Sequence, residues 1–271
     1  MAECPINPQQ NVFKKYRQVN YINSYVFGVS IDADAQAFIT AVGLTDPTHI
    51  SAINTLVVAL KGYSIWTKFK AIYPIIGGTE FTHKWNLKDP RDLNAAFRLD
   101  YAGTLTHDSN GITGSTNGYA VTYINANTLT ASSNHLSNYC STNTFGAIIC
   151  MGGAQLKLSN RYNSNARSDN PNTDIIFVSN SDSRGFYLGT RNSTTSHKIY
   201  KNSSILGSST ALITTALTSS IIGLLNPQDT GSYYSNRRYG WFSIGDGLSD
   251  TEEANLYTAV QAYQTTLGRQ V

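Results

Sequence analysis

The sequence predicts a mainly β protein, an antiparallel β-sandwich with an N-terminal helical segment before it and a C-terminal packing helix after it. Three observations carry this expectation. From Gly77 onward, short apolar or alternating runs are separated by Gly, Asn and Ser at intervals of about 8–15 residues, the pattern of hairpin-linked strands and not of βαβ units. Between residues 31 and 76 the apolar positions recur at helical spacing instead. The third observation lies near the C-terminus, where an apolar strand, a glycine break and a helix start follow one another within residues 241–257.

Taken in order, residues 1–30 mix Pro, Asn and Gln with an aromatic-rich run over 16–27 whose alternation is imperfect. They read as an extended arm that pairs either with another subunit or with its own domain. Residues 31–92 form the helical segment. Asp32 or Asp34 caps a short helix ended by Gly43, and Asp46-Pro47 supplies an N-cap and a first helical residue. In that second helix Ile50, Ile53, Val57 and Leu60 share one face, with Leu56 beside them, and Gly62 ends the run. A third helical piece is expected from Ile65, Trp66, Phe69, Ile72 and Tyr73, before Pro74. So much apolar surface must be covered, either by the β-domain or by another protein copy, which makes Ile50, Ile53, Val57 and Leu60 candidate oligomerisation or docking residues.

Residues 93–271 read as the sandwich. Phe97, Leu99 and Tyr101 alternate with charged residues, and Tyr119, Val121 and Tyr123 alternate after the turn at Asn117-Gly118. Further strands are expected around 147–150, 156–158, 175–178, 186–188, 198–200, 220–225 and 241–244. Ser249 then caps the last helix, Glu252 completes a capping box, and Asp250, Glu252 and Glu253 suit its positive end. Leu256, Val260, Tyr263 and Leu267 give that helix one packing face, and Gly268 stops it.

The ending Ser243-Ile244-Gly245-Asp246-Gly247-Leu248-Ser249-Asp250-Thr251-Glu252 through Leu267-Gly268-Arg269 resembles the close of laminin-G/concanavalin A-like jelly-roll domains. The hairpin Lys198-Ile199-Tyr200-Lys201-Asn202-Ser203 and the strand Ser220-Ile221-Ile222-Gly223 resemble the same domains, with Asn-Ser in place of the usual Asn-Gly turn. More narrowly, 53–62, His83-Lys84-Trp85-Asn86-Leu87-Lys88-Asp89-Pro90-Arg91-Asp92 and Asn117-Gly118-Tyr119-Ala120 are similar to virion structural proteins of tailed bacteriophages, including crAss-like phages. The resemblance covers residues 32–271. It implies a structural component of a virion, a fibre, spike or decoration protein of head or tail made in the host bacterial cytoplasm. Such a protein has other virion proteins and further copies of itself as partners, and host attachment as an added role.

Composition agrees with this and adds exclusions. Only 14% of residues are charged, and Ser, Thr and Asn take their place, as on many secreted and virion β-proteins. A net charge of +3 without a basic run gives no footprint for nucleic acid, and no apolar run is long enough for a transmembrane helix. The start Met1-Ala2-Glu3-Cys4-Pro5 lacks a basic and apolar leader, so no secretory signal is expected. Cys4, Cys140 and Cys150 are too few for a disulfide framework, and Cys140 and Cys150 pair only if their strands are neighbours.

No catalytic constellation stands out. No Glu lies between Glu80 and Glu252, so the paired carboxylates of a jelly-roll glycosidase are missing, and Asp100, Asp108, Asp169, Asp174, Asp182 and Asp229 read as turn-makers. The five His residues have no metal spacing and there is no Gly-x-Ser-x-Gly elbow. Calcium is the one cation to weigh, through Asp108-Ser109-Asn110 or Asp246 with Asp250, but neither loop fills a coordination shell, so no cofactor or metal is assigned. What remains is binding. Tyr233, Tyr234, Arg237 and Arg238, and Asn160, Arg161 and Tyr162, combine aromatic faces with amide and guanidinium donors suited to sugars or a protein partner. The alternative reading is therefore a carbohydrate-binding adhesin, for which Tyr233, Tyr234, Arg237 and Arg238 would surround one concavity; a glycan-active hydrolase stands behind it.

Overall fold

The computed structural model describes residues 25–26, 29–171, 173–227 and 233–271. Most of the expected arm over 1–30, Cys4 and Asp229 lie outside them. Fifteen of the described strands make two antiparallel sheets, a jelly-roll-like sandwich. One sheet runs β12 (Ile175–Ser179), β11 (Asn165–Asp169), β10 (Lys157–Tyr162), β9 (Met151–Gly152), β16 (Ile221–Leu224), β7 (Tyr119–Asn125), β4 (Asp100–Ala102). The other runs β15 (Ser204–Ser209), β14 (Ser196–Lys201), β13 (Gly185–Ser193), β8 (Asn134–Cys140), β17 (Arg238–Gly245), β6 (Gly111–Thr113), β5 (Thr106–Asp108), and β3 (Phe69–Tyr73) also pairs with β17. Strand β17 is the hub: one edge takes β8, and the other is shared between β6 at Arg238 and Tyr239 and β3 from Phe242 to Gly245. A short ribbon of β1 (Tyr25–Val26) and β2 (Val29–Ser30) precedes the helices.

Helices cover one side only. Helix α1 (Ala33–Val42) is capped by Asp32 and ended by Gly43 at φ 74°, and α2 (Pro47–Gly62) is capped by Asp46 with Pro47 inside its first turn. A one-turn helix, α3 (Glu80–His83), follows. Helix α4 (Asp250–Thr266) begins with the reciprocal capping box of Ser249 and Glu252, and Gly268 takes φ 67° after its end. Phe38, Ile53, Val57, Leu60, Leu256, Val260 and Tyr263 pack with Phe69, Tyr139, Phe186, Leu188 and Trp241 on the outer side of the eight-stranded sheet. A second core, with Ile124, Met151, Leu158, Ile222, Leu224, Tyr187, Ile199 and Tyr239, lies between the sheets. The central strands of the eight-stranded sheet are therefore buried on both faces, as in β8, where all seven residues are buried. Strand β12 alternates instead, with Ile175, Phe177 and Ser179 exposed. The seven-stranded sheet thus presents an outer face that no helix among the described residues covers.

Two expectations change here. Residues 69–73 are a strand, because both faces of β3 find apolar cover: Phe69 and Ile72 join the helix-side core, while Ala71 and Tyr73 join the inter-sheet core. The docking set fares similarly. Ile53, Val57 and Leu60 are fully buried within this chain and Ile50 is half-buried against them, so they form the helix-to-sheet contact and offer no docking face. Elsewhere the local chemistry holds even where the sequence departs from the usual pattern. Asn202 and Ser203 sit at φ 48° and 62°, both positive as a two-residue hairpin requires, and join β14 to β15 without the glycine.

The many amides and hydroxyls also serve the interior. Asn138 on β8 and Asn160 on β10 exchange amide hydrogen bonds of 2.9 and 2.8 Å between the sheets, and Asn134 and Asn170 do the same at 2.6 and 3.3 Å. Trp241 donates its indole N–H to Ser137 Oγ at 3.0 Å. Cys140 and Cys150 are free thiols in the inter-sheet core, and burial pushes Cys140 up to about 12. Burial likewise lowers His83 to about 3 and His135 and His197 to about 4, so these rings are neutral near pH 7.

Glu253 in the first turn of α4 is the counter-case. Burial pushes its carboxyl up to about 7, with Oε2 accepting from Ser203 Oγ at 2.9 Å and Oε1 left without a partner. A raised folded-state pKa means that its contribution is complete below the unfolded value near 4.5 and is lost as pH rises through about 7. Urea unfolding of the wild type and Glu253→Gln, compared at pH 5 and pH 8, should therefore show the variant gaining on the order of 2 kcal/mol relative to wild type at the higher pH. The histidine contributions cancel in that difference. An equal gap at both pH values would contradict the assignment.

Candidate functional site

Side chains on the uncovered face of the seven-stranded sheet form a row of rings. Phe177 on β12 lies 6.2 Å, centroid to centroid, from Tyr162 at the end of β10, and Tyr162 lies 5.9 Å from Tyr233. The next residue, Tyr234, lies 6.4 Å from Tyr119 on β7. From β12 to β7 the row crosses five strand spacings, about 24 Å at the usual inter-strand distance. Phe177 is 53% exposed, and the four tyrosines are half-buried.

Tyr162 faces outward because of a β-bulge. Ser159 pairs with Arg167 and Tyr162 with Asn165, so Asn160 and Arg161 together oppose Ala166 alone. Without the extra residue, alternation would send Tyr162 inward with Leu158 and Asn160. The guanidinium of Arg167 stands 5.5 Å over the Tyr162 ring and is held charged by two 2.7 Å bonds to Asp169, a buried carboxylate. Burial, and then the Tyr233 hydroxyl, raise the Tyr162 phenol, so it stays neutral at physiological pH.

At the same end of the sheet, Arg161 lies with its guanidinium 5.2 Å over Phe145, which is 65% exposed. Its Nε donates to Asn163 O at 2.9 Å and its Nη1 to Asn143 Oδ1 at 3.0 Å. Beneath it Arg237 is sealed from solvent. Its Nη2 donates to Thr144 O at 2.7 Å and Arg161 O at 2.6 Å, and its Nε to Thr144 Oγ1 at 3.2 Å. Arg237 thus clamps the Phe145 loop to β10.

The residues singled out from sequence therefore divide. Tyr162, Tyr233, Tyr234 and Arg161 belong to this surface. Asn160 does not, because it points inward to Asn138 and the Ser183 carbonyl. Arg237 supports the surface from below and cannot touch a ligand. Arg238 lies on the other sheet, bonded to Thr113 at 3.1 Å and paired with Asp108 at 3.3 Å, so the four residues 233, 234, 237 and 238 surround no common concavity. Phe177, Tyr119 and Phe145 were missed. The run Ile175-Ile176-Phe177-Val178 reads as a strand buried on both sides, yet at a sheet edge one of its faces remains open.

Two other places have the makings of a site. A cleft of about 370 Å³ is lined by Glu80, Phe81, Lys84, Arg98, Asp100 and Tyr101. Three of its charges are already engaged, Lys84 and Arg98 by Asp92, and Asp100 by the Tyr123 hydroxyl at 2.6 Å. The other is a Ser–His–Asp line: Ser168 Oγ lies 2.9 Å from His197 Nε2, and His197 Nδ1 lies 3.1 Å from Asp174. It has the order of a nucleophile, base and acid. However, it is closed to substrate. Ser168 is 2% and His197 0% exposed, Arg191 pairs with Asp174, and a Cβ on Gly189 of the facing sheet would come within 2.5 Å of Ser168 Oγ. Asp169 and Asp174, read from sequence as turn-makers, are thus partners of buried or half-buried arginines.

The loops weighed for calcium are also occupied from within. Asp108 accepts from Asn110 N–H and pairs with Arg238, and Asp250 takes Lys198 and the Tyr200 hydroxyl. Among the described residues no group of three or more His, Cys, Asp or Glu side chains could hold a metal ion.

No family model matches the chain, and no curated protein matches it in sequence. Solved structures with a similar fold include botulinum neurotoxin type C, which enters cells in dependence on interaction with two ganglioside molecules. It is 12% identical with a TM-score of 0.52, over 72% of this chain and 52% of that one. The binding domain of botulinum neurotoxin DC in complex with rat synaptotagmin II is 11% identical with a TM-score of 0.52, over 73% and 52%. A mutant of Trypanosoma rangeli sialidase displaying trans-sialidase activity is 11% identical with a TM-score of 0.52, over 80% and 39%. The chain spans about half the length of the toxin chains it matches. At such identities the likeness fixes the fold alone, a β-sandwich.

The clamp under the surface can be tested directly. Arg237→Met keeps much of the stem volume but leaves the Thr144 and Arg161 carbonyls unpaired, and should lower the unfolding free energy in urea by about 2–4 kcal/mol. A loss below about 0.5 kcal/mol, the range of an ordinary surface substitution, would mean that Arg237 holds nothing.

Proposed function

We propose that this protein is a non-catalytic binding component of a tailed-bacteriophage virion, a fibre, spike or decoration subunit of head or tail that holds a host-surface glycan. The observation that carries the binding role is the row of Phe177, Tyr162, Tyr233, Tyr234 and Tyr119 on the one sheet face that the helices leave open. Partly exposed rings carried on a rigid sheet suit the apolar faces of sugar rings, while hydroxyls and amides at the margins supply hydrogen bonds. Strand-borne rings also lose little conformational freedom on binding.

Several observations support the reading. The matched toxin structures are of proteins that bind gangliosides or a protein receptor, an analogy at the level of fold. The sealed Ser168–His197–Asp174 line speaks for binding over hydrolysis. The virion setting and assembly with further copies and with other virion proteins rest on the sequence resemblance over 32–271 and on the low charge content.

Retention on host-cell surface polysaccharide, measured by affinity electrophoresis, checks the binding role, and locating the chain in an imaged particle checks the setting. Tyr162→Ala and Phe177→Ala should each weaken retention by about 2 kcal/mol, roughly thirtyfold in Kd, with thermal stability nearly unchanged for Phe177→Ala. Undiminished retention in both variants would remove the row from the account.

A further inference from the structure

Among the described arginines, Arg91, Arg98, Arg167, Arg184, Arg191 and Arg238 each pair with an aspartate. Three others do not. Arg237 and Arg269 are buried, and they spend their donors on carbonyl, hydroxyl and amide oxygens or on sulfur. Arg161 is the remaining one. It is half-exposed, no carboxylate among the described residues pairs with it, and its Nη2 has no hydrogen-bond partner among them.

A guanidinium without a counter-charge usually roams in water, whereas this one is fixed. Its Nε and Nη1 are held by two neutral acceptors, Asn163 O and Asn143 Oδ1, and its plane lies near the exposed Phe145 ring. The backbone carbonyl of Arg161 is gripped in turn by Arg237, whose own positive charge adds to the local field without an acid beside it. Two uncompensated cations therefore stand at the end of β10, next to Tyr162 and the aromatic row. Fixed N–H donors around a net positive charge are the arrangement that recognises carboxylates.

We propose that the ligand of this face is an acidic polysaccharide, with Arg161 taking a sugar carboxylate while Phe145, Tyr162 and Phe177 take ring faces. The proposal rests on the glycan-binding reading above and deepens it from sugars in general to carboxylate-bearing ones. Neutral residues of the same chain occupy the rest of the row, where Arg167 is already neutralised by Asp169.

The test uses the whole protein and three probes, polygalacturonate, hyaluronan and polysialic acid, each beside its carboxyl-reduced neutral form. At least one acidic polymer should be retained, its reduced form about tenfold more weakly, and the difference should shrink as sodium chloride is raised. Arg161→Gln should abolish the preference for the acidic form with its melting temperature unchanged, whereas Phe177→Ala should weaken both forms together. Equal retention of acidic and reduced forms, or a preference that survives Arg161→Gln, overturns the assignment to carboxylates while leaving the glycan-binding reading in place. If none of the polymers is retained in either form, both fall.

Discussion

The arrangement depends on how a sandwich so rich in amides satisfies them where there is no water. The Asn138–Asn160 and Asn134–Asn170 pairs bridge the two sheets, each amide using the other as both donor and acceptor. A buried amide left single would cost on the order of 1–3 kcal/mol, so each pair is stable only with both members in place. This constrains register more sharply than apolar packing does, because a one-residue slip of β8 or β10 would turn its asparagine to the outside and leave the partner amide buried and unpaired.

The binding surface follows from that constraint. Asn160 must point inward to meet Asn138, and the extra residue beside it then turns Tyr162 to the outside, opposite Asn165 and within reach of Phe177 and Tyr233. The helices decide which face stays open. Their apolar side chains cover the eight-stranded sheet, where Trp241, Phe186 and Leu188 meet α2 and α4, so only the seven-stranded sheet can show rings to a partner. The two faces differ accordingly. One is greasy and closed; the other is aromatic and flanked by a fixed guanidinium.

Much of the fold was legible because its signals are local. Asp32, Asp46 and Ser249 cap helices as their neighbours imply, Gly43 and Gly268 take the positive φ that helix ends favour, and the alternation of Tyr119, Val121 and Tyr123 marks β7. The misread pieces depend on what lies across the chain. Residues 69–73 are apolar at both periods, so only pairing with β17 makes a strand of them. Arg237 looks like a surface donor beside two tyrosines until the Phe145 loop closes over it. Half of the surface, Tyr162, Tyr233, Tyr234 and Arg161, could be found from local composition. Phe177 and Tyr119 could not, since nothing local distinguishes an apolar strand residue at an open face from one in a core.

A crystal structure of the protein soaked with an acidic oligosaccharide would test the central claim most directly. The account predicts sugar density along the outer face of the seven-stranded sheet, with rings over Tyr162 and Phe177 and a carboxylate at Arg161. Density confined to the Glu80–Tyr101 cleft or to the helical side, with that face bare, would contradict it.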